Sequence, residues 1–118
     1  MTKNVASFAK ISVGELIQAL ELLGFSLLNP HLNNIAGWNE YGEEVTLLSE
    51  SEAREFLIEG RGMTVWRGRE TDLFVSVAHG VPRISFRGHT EQEEIELVEE
   101  FSKAKLAFSV DHEDEAHG

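Results

Sequence analysis

Cysteine is absent from this 118-residue chain, which excludes a disulfide framework, a thiolate nucleophile and any cysteine-ligated zinc site. Basic residues are scarce. Ten Lys and Arg stand against 21 Asp and Glu, giving a formal charge of −11. That balance argues against a general nucleic-acid binder and against attachment to anionic lipid, and it makes a basic molecule the natural charged partner. No apolar run approaches the roughly 18 residues of a membrane span. The opening residues Met1 to Phe8 lack the continuous apolar core of a signal peptide, so the expected setting is the cytoplasm, with no membrane contact.

Catalytic signatures are missing as well. The histidines are His31, His79, His89, His112 and His117, and none stands in a metal-binding spacing such as H-E-x-x-H. Gly60-Arg61-Gly62 and Gly68 lack the Lys and Ser/Thr of a phosphate-binding P-loop, and no G-x-S-x-G occurs. His79 and His89 are the weaker candidates for a general base. No catalytic residue, metal site or cofactor is assigned, and the chain reads as non-enzymatic.

With 42% hydrophobic residues, the chain can bury one core, so residues 1–110 are expected to form one globular α+β domain. The acidic stretch 111–118 reads as a disordered tail. Ser12 and Glu15 have capping-box spacing ahead of Val13, Leu16, Ile17 and Leu20, which predicts a helix over 12–23 closed by Gly24. Ser49 and Ser51 offer N-caps for a helix over 50–59, and Thr90 with Glu93 makes a second capping box for a long helix over 90–107. Runs from Met63 to Arg67, Leu73 to His79 and Val81 to Arg87 predict a three-stranded antiparallel meander over 63–87. Two further strand candidates lie near 25–28 and 45–48. The intervening stretch reads as a long loop carrying Ile35, Trp38 and Tyr41, or else an irregular hairpin.

A two-residue turn at His79-Gly80 sets Val75 against Ile84 and Ser76 against Arg83. Leu73, Val75, Val77, Ile84 and Phe86 then share one face, opposite Phe74, Arg83 and Arg87. Extending across Gly68 to Thr71 as a four-residue loop places Arg67 opposite Asp72, turns Val65 outward and Trp66 inward, and adds Arg67 to the outer face. The meander's outer strands present edges able to pair across a dimer.

Charge is segregated along the chain. Residues 61–89 carry five basic and two acidic groups, whereas 90–118 carry two and ten, and 1–60 carry three and nine. Glu93, Glu96 and Glu100 fall on one helical ridge, where like charges repel. A basic target would account for that cost, because complementary charge speeds encounter and excludes wrong partners. Aromatics within an acidic surround, here Trp38 and Tyr41, are the usual anchors of an interface. The composition therefore points to an acidic protein that binds and inhibits a basic protein partner, as immunity proteins, antitoxins and nucleic-acid mimics do, through Trp38, Tyr41, Glu93, Glu96 and Glu100. The competing expectation is a small anion- or nucleotide-binding module on a sheet face made by Arg67, Phe74, Arg83 and Arg87.

Overall fold

A computed structural model describes residues 4–39, 41, 43–47, 49–58, 62–86 and 89–112. Arg87 and the residues 113–118 lie outside that set, as do Glu40, Leu48 and residues 59–61. The order of elements is β1 (Asn4–Ser7), α1 (Val13–Leu22), β2 (Ile35–Trp38), β3 (Glu44–Leu47), α2 (Glu50–Ile58), β4 (Gly62–Arg67), β5 (Thr71–Ala78), β6 (Val81–Ser85), α3 (Glu91–Lys103) and β7 (Ser109–His112). The seven strands form one sheet in the order β3-β2-β4-β5-β6-β1-β7, and every neighbouring pair is antiparallel. The α+β class holds, with more strands than the sequence suggested.

Both capping boxes form. The Ser12 hydroxyl accepts from the Glu15 amide while the Glu15 carboxylate accepts from the Ser12 amide, and Thr90 and Glu93 repeat the exchange. Ser49 caps α2 through the Glu52 amide at 3.2 Å. These contacts satisfy N–H groups that the first turn of a helix leaves unpaired.

All three helices bury their apolar sides in one core cluster. Leu16, Ile17 and Leu20 of α1, Phe56 and Leu57 of α2, and Leu97 and Phe101 of α3 meet Met63, Val65, Leu73, Val75 and Ile84 of the sheet. The β5–β6 register is the expected one, with Val75 opposite Ile84 and Ser76 opposite Arg83. Its turn places His79 and Gly80 at φ 53° and 78°, the left-handed pair that a two-residue hairpin requires.

The β4–β5 register differs from expectation by one residue. Arg67 pairs with Thr71, Trp66 with Asp72 and Val65 with Leu73, because the connection is the three residues Gly68, Arg69 and Glu70, with Gly68 at φ 67°. A one-residue slip turns every side chain to the other face. Val65 and Arg67 therefore point to the helices, and Trp66 points away from them. The strand candidate near 25–28 reduces to a bridge between Ser26 and Trp66, whereas the one near 45–48 is β3. The helix expected over 90–107 stops at Lys103, and β7 runs through His112 into the stretch read as tail. The meander presents no free edge either, since β2 covers β4 and β1 covers β6.

Candidate functional site

The face of the sheet opposite the helices carries Ala36 and Trp38 from β2, Glu44 and Thr46 from β3, Thr64 and Trp66 from β4, and Phe74 and Ser76 from β5. The alternation follows from the pairing of Trp38 with Glu44, of Trp38 with Gly62 and of Thr64 with Phe74. None of these residues belongs to the core cluster, and among the described residues no helix packs over them. An antiparallel sheet with one face open usually fills that face with polar side chains. Here three aromatic rings, Trp38, Trp66 and Phe74, stand among the polar side chains.

Trp38 is 38% exposed and Tyr41 78%. They share the β2–β3 hairpin, whose tip is held by Asn39. The Asn39 side-chain carbonyl accepts from the Tyr41 and Glu43 amides, each at 2.9 Å, and the Asn39 amide donates to the Glu43 carbonyl at 3.0 Å. Both aromatics are thus surface groups on a stiffened turn.

Beside them, Ser26 exchanges two backbone hydrogen bonds with Trp66, at 2.7 and 2.8 Å, while β2 pairs with β4 only at Met63 and Gly62. Between these two stretches lies a cleft of about 110 Å³ lined by Leu27, Asn29, Ala36, Trp38, Glu44, Thr64 and Trp66. The His31 ring meets Trp66 edge-on with centroids 5.3 Å apart, and His31 Nε2 lies 2.8 Å from the Arg69 carbonyl.

The glutamates of the expected partner surface lie in the helix layer, away from Trp38. Glu93 is the third residue of α3 and completes the capping box with Thr90, and the amide and hydroxyl hydrogen bonds from Thr90 hold its carboxyl below the usual range. Glu96 is exposed and accepts from Gln92 at 3.3 Å. Glu94, a neighbour on α3, is buried and accepts from Asn4 at 2.6 Å. Glu100 takes both arms of the Arg67 guanidinium, at 2.6 and 2.8 Å, while Arg67 also reaches the Leu23 carbonyl and lies over the Phe25 ring at 4.7 Å. Part of the acidic ridge thus serves the fold itself.

That pairing has a pH signature. Hydrogen bonding to Arg67 lowers the Glu100 pKa, against some opposition from burial. A carboxylate with a depressed folded-state pKa stabilises above its unfolded pKa, and the contribution disappears as pH falls through the folded value. Glu100→Gln is expected to lose about 1 kcal/mol at pH 7, a modest value because the pair is partly open to water. The variant should also show a shallower decline than the parent on acidification through the carboxylate range. Urea titrations of both proteins at several pH values read the difference directly, and parallel declines would show that Glu100 does not contribute.

The other anion-site residues are not assembled as expected. Arg67 faces the helices for the register reason given above, Arg87 is outside the described residues, and Phe74 and Arg83 remain on the open face. His79 is exposed at its turn, and His89 is buried with its ring bonded to the Asp72 carbonyl. Among the described residues, no three His, Asp or Glu side chains gather as metal ligands, and no helix is long and apolar enough to cross a membrane. Trp66 and Thr64 were missed as site residues, whereas Glu44 belongs to the acidic surround expected for Trp38 and Tyr41. The Trp66 signal depended on counting Gly68 to Glu70 as the turn. No protein-family model, curated protein or solved structure matches the chain.

Proposed function

We propose that this chain is a non-enzymatic, cytoplasmic binding protein that docks a basic protein partner on the open side of its sheet and blocks it, as immunity proteins and antitoxins do. The observation that carries the reading is the β2–β3 hairpin. Trp38 and Tyr41 stand outside the core on a turn already fixed by Asn39, so little ordering cost remains to be met on binding. Aromatic anchors of this type dominate interface energetics. The exposed Glu43 and Glu44 adjoin them, and the overall charge of −11 favours encounter with a positive surface. Glu96 and the other exposed helix carboxylates contribute to that long-range field, although they sit away from the anchors.

Capture on the immobilised full chain, identification of the retained protein and measurement of the purified pair test the proposal. Trp38→Ala combined with Tyr41→Ala is expected to weaken the complex about tenfold or more, chiefly through faster dissociation. Raising salt should slow association instead. A partner indifferent to both changes would rule out this docking surface.

A further inference from the structure

The cleft beside the hairpin narrows the kind of contact such a partner makes. The chain contains two tryptophans, and both line this one cleft, with Glu44 at its rim. Trp38 and Glu44 are a directly paired couple across β2 and β3. Among the described residues no Lys, Arg or His contributes to the lining. Among the described residues none pairs with the Glu44 side chain.

Indole faces attract cations more strongly than other aromatic rings, and a carboxylate beside them adds a direct charge contact. Leu27 and Ala36 supply apolar wall, which suits the methylene stem of a long basic side chain while its head stays polar. Size selects further. At about 110 Å³, the cleft is well below the roughly 300 Å³ at which whole small-molecule sites begin, so it takes a side-chain head rather than a nucleotide. Trp66 is also fixed in advance by its two backbone bonds to Ser26 and by the tethered His31 ring.

We infer that the cleft between Trp38, Trp66 and Glu44 is a receptor for one arginine or lysine side chain projected by the basic partner. This rests on the docking reading above and specifies its central contact.

Capped Gly-Xaa-Gly peptides with arginine, lysine, trimethyllysine or citrulline at the middle position provide the test, titrated into the full chain. The readouts are the two indole N–H resonances and tryptophan fluorescence. Arginine or lysine is expected to shift both indoles saturably, and trimethyllysine in their place would assign the cleft to methylated lysine. Citrulline, nearly the same shape as arginine but uncharged, should leave them in place. Glu44→Gln should weaken the charged peptide about fivefold or more, the scale of one close ion pair.

Absence of a saturable indole shift, or an equal response to citrulline, would overturn the assignment. The two readings separate in the partner complex. Loss of affinity with Tyr41→Ala but not with Glu44→Gln keeps hairpin docking and removes the cleft. Peptide binding that is lost in Glu44→Gln, beside a partner indifferent to the hairpin variants, keeps the cleft and removes the docking surface.

Discussion

Replacing Phe101 by alanine is expected to cost about 3–5 kcal/mol of folding stability, the range for removing a fully buried aromatic ring. Phe101 is completely buried. It meets Phe8 and Phe108 edge-on, with centroids 6.1 and 6.0 Å away, and Phe86 at a tilt, 6.3 Å away. Those rings follow β1, precede β7 and follow β6, so Phe101 of α3 joins the segments around one whole end of the sheet. Such aromatic pairs contribute beyond their buried area. Total stabilities of domains are only about 5–15 kcal/mol, and the variant should unfold at markedly lower urea with an unchanged denaturant slope. Ile95→Ala, on the exposed side of the same helix, is the comparison and should shift stability by about 0.5 kcal/mol or less. A Phe101→Ala loss as small as that would mean the four-ring cluster is not a structural centre.

A second large effect is expected from one methyl group. At Gly37 an added Cβ would lie 2.5 Å from Phe56 Cε1 and within about 3 Å of two more atoms of that ring. Phe56 is itself buried between α2 and the sheet, so it has no free volume into which to retreat. Gly37→Ala should therefore destabilise by about 2–3 kcal/mol, toward the upper end for overpacking. Gly62 gives the contrast. Its added Cβ would come even closer to a ring, 2.2 Å from Phe74 Cζ, but Phe74 lies half-buried on the face without helices. That ring can swing toward water, so Gly62→Ala should cost less than Gly37→Ala despite the shorter nominal contact. Paired urea or thermal unfolding decides the order. The reverse order would show that the outer face is packed as firmly as the core.

The helix starts were legible because their caps are short-range chemistry, and Ser12 with Glu15 or Thr90 with Glu93 announces itself within four residues. Helix ends were legible only where the residue type matched the geometry. α1 and α3 finish in the same way. The amide of Phe25 returns to the Leu20 carbonyl and that of Leu106 to the Phe101 carbonyl, with a left-handed residue between helix and exit in each case. In α1 that residue is Gly24, the expected occupant; in α3 it is Lys105 at φ 62°, which carries no glycine signal. The expected helix consequently ran past its true end and consumed the approach to β7. β1 and β7 escaped notice for another reason. Asn4-Val5-Ala6-Ser7 and Ser109-Val110-Asp111-His112 have too few apolar residues to show an alternating pattern, and they become strands through pairing with each other and with β6.

The site was half visible. Trp38 and Tyr41 were singled out as candidate anchors, and the structure places both at the surface rather than beneath the loop. The expected arginine face loses Arg67, because a single turn residue decides whether Arg67 or Trp66 faces the helices. The same slip that removed Arg67 from the anion site delivered the second tryptophan to the cleft.

The position of β1 has a consequence for how the chain comes into being. Its neighbours are β6 and β7, and Asn4 lies opposite His112, so β1 leaves the ribosome well before either strand that completes it. At about 5–20 residues per second, the gap before β6 emerges amounts to several seconds. The other half of the sheet, β2 to β5 with α2 against it, needs no contribution from either end to make its own pairings. Synthesis thus favours a nascent chain in which the hairpin half assembles early. The β6–β1–β7 half then closes around Phe101 once β7 has emerged.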